Sequence, residues 1–380
     1  MAADRRRERH EALAALFDAD GAALDALLVT SRPNIRYLTG FSGSAGVAVA
    51  TRADLLLVTD FRYAEQAQAE AGAIARVEIE GVSVWDRLFK DLPSLGPLTT
   101  VGYEAHNVTV KDAERFSAGA AGKAWHWKPA GELVERLRAR KDPAEIGAIR
   151  AAAALAGEAL RTTIAAVRPG QTELEIAGLL EGALRRCGSE GHPFPAIVAS
   201  GPRSALPHAQ TSRRTVAAGE WLLIDFGAVV DGYCADITRT VVVGARATEA
   251  QRALYDLVAG AQRRAREGVR AGMPGREADA LARDLIEARG FGASCTSSPN
   301  PCPVECPKAS PGHGLGLEVH EAPRLARTAT EPLPLDAVVT IEPGVYVPGR
   351  GGVRIEDDVH LSADGPVLLS DGHTDLVELV

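Results

Sequence analysis

Between Trp221 and Thr240, two apolar runs flank the dipeptide Asp231-Gly232. Asp-Gly in that setting is a strong hairpin signal, because it tolerates the positive φ values of a two-residue turn. Such a turn fixes the pairing: Val230 faces Tyr233, Asp225 faces Thr238, and Gly227 faces Asp236. Asp225 and Asp236 are then diagonal neighbours on one face, with Cβ atoms within roughly 7 Å. Two carboxylates among Leu, Ile, Val and Phe are costly to bury unless something positive lies between them. The hairpin alone leaves two readings open. One is a partner arginine, with Arg239 the nearest candidate; the other is a metal ion.

Two further segments carry polar residues in apolar surroundings. In Pro311–Pro323, glycines flank His313, which allows close backbone approach, and His320 follows seven residues on. In Val338–Asp358, Glu342 interrupts an apolar strand, and Pro343-Gly344 is expected to bend the chain there. Arg354, Glu356 and Asp358 alternate onto one expected strand face. The bland alternative is an Arg354–Glu356 surface pair of little value. Together the segments supply two Asp, one His and two Glu. Four carboxylates balance two divalent cations. Hard oxygen donors with one imidazole suit Mn²⁺ or Co²⁺ better than a thiolate-rich structural zinc site. Paired metals acidify a bridging water and polarise a carbonyl, so the expected chemistry is hydrolysis.

The 380-residue length suggests two to three domain-sized units. The first ~135 residues alternate helix and strand: a helix over Arg6–Phe17, strands at Leu27–Thr30, Val47–Ala50 and Asp54–Thr59, and a helix over Tyr63–Ala71. The boundary is placed at 135/136, giving a smaller α/β domain 1–135 and a larger one 136–380. In the second, Asp142-Pro143-Ala144-Glu145 opens a helix with a capping box, and Thr172 with Glu175 opens another ending near Gly188. This second helix has an echo 102 residues later, in which Gly170 matches Gly272, Glu175 matches Glu277 and Gly188 matches Gly290. The echo predicts two similar αβ halves.

Forty-two basic residues stand against 50 acidic, which lacks the basic footprint of a nucleic-acid binder. No run of ~18 apolar residues suggests a membrane span. The arginine-rich start has no apolar stretch behind it, so the chain reads as cytoplasmic. Five cysteines, an odd number in a long chain, argue against a disulfide scaffold.

The order Asp225, Asp236, His313, Glu342, Glu356 resembles the M24 metallopeptidase family of aminopeptidase P, prolidase and methionine aminopeptidase. The segments Arg32–Gly43 and Thr59–Tyr63 resemble the creatinase-type N-terminal domain, which methionine aminopeptidases lack. The resemblance spans about residues 10 to 375. It implies a creatinase-like N-terminal α/β domain followed by a pseudo-twofold pita-bread catalytic domain. It implies two divalent metal ions, Mn²⁺ foremost, with Co²⁺ or Zn²⁺ as alternatives. Asp225 would chelate one metal, His313 and Glu342 the other, with Asp236 and Glu356 bridging. Glu342 would also accept the proton of the bridging water and pass it to the leaving nitrogen. His320 would donate to the substrate carbonyl, His208 would face the substrate, and Arg354 would orient acidic ligands. Creatinase shares the fold without these ligands, which are all present here.

One departure from the family pattern is Ala309, where a histidine often precedes the ligand by four residues. The segment 293–311 carries Cys295, Cys302 and Cys306 and five prolines. It reads as a proline-stiffened loop, since no local histidine completes a zinc spacing. The expected activity is that of an Xaa-Pro aminopeptidase. The alternatives are an Xaa-Pro dipeptidase, or prolidase, and a non-catalytic pita-bread binding protein. A homodimer through the N-terminal domain is expected from the resemblance alone.

Overall fold

The computed structural model describes residues 2–21, 23–291, 312–372 and 374–380. The Cys/Pro segment with Cys295, Cys302, Cys306 and Ala309 lies outside the described residues. The chain divides into two compact units, Met1–Arg138 and Ala139–Val380.

The first unit is a six-stranded sheet in the order β4-β3-β2-β1-β5-β6. Its strands are β1 (Ala26–Val29), β2 (Val47–Thr51), β3 (Leu55–Asp60), β4 (Arg76–Glu80), β5 (Thr100–Glu104) and β6 (His126–Ala130). The central β1–β2 and β2–β3 pairs are antiparallel; β3–β4, β1–β5 and β5–β6 are parallel. The helices are α1 (Ala2–Ala15), α2 (Arg32–Thr39), α3 (Ala64–Ala71), α4 (Val84–Asp91), α5 (Val110–Ala120) and α6 (Leu133–Arg138). The expected helix over Arg6–Phe17 starts earlier and tightens into a 3₁₀ turn over Leu16–Gly21. α2 shows why the 32–43 block folds as it does. The buried Glu104 carboxylate accepts the Thr30 and Ser31 backbone N–H groups at 2.6 and 2.7 Å, just ahead of the helix. Pro33 suits the first turn, and Gly40 ends the helix at φ +83°.

The second unit opens with α7 (Pro143–Ala166) and α8 (Glu173–Cys187), each started by a full capping box, Asp142 with Glu145 and Thr172 with Glu175. β7 (Ile197–Ser200), β8 (Glu220–Phe226) and β11 (Ile237–Val243) form a sheet with β19 (Glu378–Leu379), and β9 (Val229–Val230) and β10 (Tyr233–Cys234) form the hairpin tip. Next come α9 (Glu249–Gly268) and α10 (Gly275–Glu287). A five-stranded sheet follows in the order β13-β12-β14-β17-β18. It uses β12 (Gly312–Gly314), β13 (Glu321–Leu325), β14 (Val338–Ile341), β17 (Asp357–Ser362) and β18 (Gly365–Leu368). β15 (Gly344–Val347) and β16 (Gly351–Arg354) make a separate ribbon.

The internal echo is written in backbone hydrogen bonds. Gly170 N donates to Val216 O and Val216 N to Gln171 O, both at 2.8 Å. In the second half, Gly272 N donates to Leu333 O at 2.8 Å and Leu333 N to Met273 O at 2.9 Å. Glu173 to Arg214 and Leu174 to Ser212 recur as Gly275 to Glu331 and Arg276 to Ala329. Gly170 and Gly272 both take positive φ, at +90° and +82°. Each helix pair buries its apolar stripe on its own sheet. α7 and α8 pack through Ala156, Ile176 and Leu180 against Leu222, Ile224 and Val241. α9 and α10 pack through Val258, Ala261 and Ala282 against Val339, Val353 and Val359.

Candidate metal centre

The hairpin register is as expected. Asp225 on β8 lies opposite Thr238 on β11, and Val230 opposite Tyr233. The ladder breaks between these pairings, where Ala235 N donates to Ala228 O at 2.9 Å. A Cβ on Gly227 would come within 2.1 Å of Ala235 O, so only glycine lets the strands close there. Asp236 sits in this break, on the face of Asp225.

The second half brings the remaining donors. His313 lies on β12, and the glycines beside it serve the neighbouring strands. A Cβ on Gly312 would meet Thr340 O at 2.0 Å, and one on Gly314 would meet Ala322 O at 2.2 Å. Glu342 follows β14 at the Pro343 bend, where the chain leaves one sheet for the β15–β16 ribbon. Glu356 occupies the matching break between β16 and β17. That break changes one expectation: Arg354 ends one strand and Asp358 belongs to another, so the three residues do not share a single strand face.

Donor atoms of Asp225, Asp236 and Glu356 lie within 4.8 Å of one another, as do those of His313, Glu342 and Glu356, and those of Asp236, His313 and His320. His313 Nε2 is 3.2 Å from Glu342 Oε1 and 3.7 Å from Asp236 Oδ2. Its Nδ1 lies 3.1 Å from Gly314 O. A proton there leaves the Nε2 lone pair aimed at the carboxylates. The His320 ring stands at 64° to that of His313, centroids 4.2 Å apart. His208 is exposed, within electrostatic range of His320, in a hollow lined by Arg203, Leu206 and Pro207.

The cation beside Asp225 is Arg354, not Arg239. Arg354 Nη2 donates to Asp225 Oδ2, Nε to Thr238 Oγ1 at 3.0 Å, and Nη1 to the Tyr346 hydroxyl at 2.7 Å and Pro207 O at 3.2 Å. Arg239 instead pairs with Asp357 at 2.7 Å and donates to the Glu356 carbonyl at 2.6 Å. Arg354 and Glu356 are both buried, so the surface-pair alternative does not hold.

The supporting roles of three residues went unread in the sequence. Thr238 Oγ1 donates to Glu356 Oε2 at 2.6 Å, Thr340 Oγ1 to Glu342 Oε1 at 3.2 Å, and Asp358 Oδ2 accepts the Asp236 N–H at 3.2 Å. Thr238 was visible as the partner opposite Asp225. Thr340 stands two places before Glu342, on the same strand face.

Burial pushes Asp225 up, against the opposing pull of Arg354. Burial pushes Asp236 and Glu356 well above the usual carboxylate range, reinforced for Asp236 by Glu356 and for Glu356 by Glu342. Burial disfavours a charged His313, but hydrogen bonding and charge from Glu342 outweigh it and raise its pKa. Burial and then the neighbouring His313 lower His320.

A domain of two αβ halves with clustered carboxylates between them is the architecture of the pita-bread peptidases. The chain belongs to metallopeptidase family M24: residues 147–363 match that family, and residues 9–140 match the creatinase/prolidase N-terminal domain. It is similar to an Xaa-Pro dipeptidase from Bacillus anthracis, with 37% identity and TM-score 0.89 over 98% of this chain and 100% of that one. An X-Pro aminopeptidase from Thermotoga maritima shows 34% identity and TM-score 0.84 over 94% and 98%. An Xaa-Pro dipeptidase of Pyrococcus horikoshii is 33% identical over 94% of this chain and 96% of its own length. The chain is therefore a peptidase, and its family implies a divalent-metal cofactor.

The residues present fit such a cofactor. Asp225 Oδ1 and Asp236 Oδ1 are buried with no hydrogen-bond partner among the described residues, which is costly for a carboxylate oxygen without a cation. Their donor set is oxygen-rich with one imidazole, suited to hard or borderline divalent ions.

Proposed function

We propose that the chain is an Xaa-Pro-specific exopeptidase using two divalent cations, with Mn²⁺ the best match to its donors. The observation that carries this reading is the sharing of Glu356 between the Asp225–Asp236 and His313–Glu342 donor groups. In this reading Asp225 would hold one cation and His313 and Glu342 the other, with Asp236 and Glu356 available to both. When bound, such a pair acidifies water and polarises the scissile carbonyl. Glu342 accepts the water proton and returns it to the departing proline nitrogen. His320, whose charged form burial disfavours, donates an N–H to the carbonyl oxygen as it gains charge. His208 contacts the substrate beside it. Arg354 fixes the Asp225 carboxylate and ties it, through Pro207 O, to the loop bearing His208. Proline's tertiary amide lacks an N–H, so a dedicated pocket is a reasonable device.

The aminopeptidase reading expected from the N-terminal segments now has a competitor of at least equal weight. Relatives named as Xaa-Pro dipeptidases match as well as the aminopeptidase does. A dipeptidase needs a cation for the substrate's C-terminal carboxylate. Arg324 lies directly opposite His313 in the β12–β13 register, on the same sheet face, and is exposed. Hydrolysis of Ala-Pro, Ala-Pro-Ala and a longer Ala-Pro peptide with Mn²⁺, against an EDTA control, tests the proposal. Turnover of the dipeptide alone makes the enzyme a prolidase; turnover of the longer peptides makes it an aminopeptidase. No turnover of any by the metal-loaded protein would overturn both. A cytoplasmic homodimer completes the reading, and a monomeric mass in solution would remove the dimer. Among the described residues, no helix is long and apolar enough to cross a membrane.

A further inference from the structure

The segment that carries His320 is held from behind by a buried ion pair outside the donor cluster. Lys141, just ahead of α7, places Nζ 2.8 Å from Glu321 Oε1, with side chains 1% and 4% exposed. The Lys141 ammonium makes no well-aligned hydrogen bond among the described residues, so the contact is chiefly Coulombic. The Lys141 backbone is itself fixed, its N–H donating to Asp336 O at 2.9 Å.

Glu321 directly follows His320 and opens β13. Its other carboxylate oxygen accepts the Glu318 N–H at 3.3 Å. A Cβ on Gly316 would come within 2.4 Å of Glu321 Oε1, so the carboxylate lies against the 316–318 turn. That turn is pinned on its other side, where Gly316 O accepts the Cys234 N–H at 2.8 Å. His320 is the last residue of the bend ahead of β13, so clamping Glu321 fixes the backbone from which the His320 ring reaches His313, with centroids 4.2 Å apart.

We propose that the Lys141–Glu321 pair is a positioning device that aims His320 at the substrate carbonyl, and that it acts on turnover through that histidine. The inference rests on the carbonyl-donor reading of His320 given above. Neither member of the pair belongs to the donor groups, so its loss should leave metal uptake intact.

A double-mutant cycle on the metal-loaded, full-length protein tests this. The paired variant Lys141→Met/Glu321→Gln removes both charges of the pair together, so neither member is left buried without the other. It is combined with His320→Ala, with metal content and Tm recorded for every protein. The expected result is a kcat loss of roughly 30-fold in the paired variant, with KM and metal content near wild type, and ~100-fold in His320→Ala. Adding the paired change to His320→Ala should then cost no more than ~3-fold, because the device has nothing left to aim. Lys141→Arg, which keeps the charge, should retain kcat within about 3-fold. Multiplicative losses, or wild-type kcat in the paired variant, would overturn the inference while leaving His320 in place. Wild-type turnover in His320→Ala would instead remove the His320 reading, and this inference with it. If the paired variant does not fold, Glu321→Asp, which keeps the charge but draws the carboxylate back from Lys141, takes its place in the same cycle, with the same criterion of additivity.

Discussion

Arg354 donates from Nη2 to Oδ2 of Asp225 across two strands that meet only in the folded second unit, with both groups largely out of solvent. Three further N–H groups go to Thr238, Tyr346 and Pro207, so every nitrogen of the guanidinium fork is engaged. Lysine cannot reproduce that fork. Arg354→Lys is expected to lower kcat/KM about 10–100-fold, as loss of a group that orients a metal ligand does. Steady-state kinetics at saturating Mn²⁺ check it; an unchanged kcat/KM would count against the orienting role.

Asp236→Ala and Glu356→Ala should each abolish turnover, since in the proposed site each would remove a donor shared by both cations. The same changes relieve crowding among buried carboxylates. The metal-free variants should therefore melt no lower than the metal-free parent, while losing most of the parent's Mn²⁺-induced rise in Tm. Calorimetry with and without EDTA reads both halves of this. Near wild-type turnover in either variant would sink the dinuclear assignment.

Stability of the metal-free protein should fall as pH rises. Asp225, Asp236 and Glu356 have folded-state pKa values raised above those of the unfolded chain, so the native state holds the extra protons. Their contribution is full below the unfolded value of about 4 and is lost as pH climbs through the raised values. His313 is also raised and acts in the same direction above about pH 6.5, whereas the lowered His320 opposes it. Urea unfolding in EDTA between about pH 5 and 8 should show the decline, and excess Mn²⁺ should remove it. A rise in metal-free stability with pH would contradict the buried-carboxylate account.

Arg324→Ala should raise KM for Ala-Pro by about 10-fold or more and leave Ala-Pro-Ala nearly unaffected, if Arg324 holds the dipeptide's carboxylate. Equal effects on both substrates would assign Arg324 no part in carboxylate capture.

Asp225 and Glu342 were legible because each is a charged residue where the local pattern demands an apolar one: Asp225 within a Leu-Leu-Ile run, Glu342 after Val-Val-Thr-Ile. The helix starts at Asp142 and Thr172 were equally plain, because capping is a property of four adjacent residues. What escaped was pairing at long range. Arg239 is the arginine nearest Asp236 in the chain, yet it turns to Asp357, and Arg354 arrives from more than a hundred residues away. The expected single face for residues 354–358 failed for a related reason. The chain changes sheets at Ile355–Glu356, and a period of two resets wherever a strand ends.

Four backbone hydrogen bonds of the duplicated frame recur in both halves, but the polar residues it carries do not. Asp225 and Asp236 come from the first half, and His313, Glu342 and Glu356 from the second. Neither half owns a complete binding set. A protein cut between Val243 and Glu249 would distribute the donors over two fragments, and cation uptake would then measure their reassociation. In the intact chain, the proposed site would make its cation a rivet between two copies of one architectural idea.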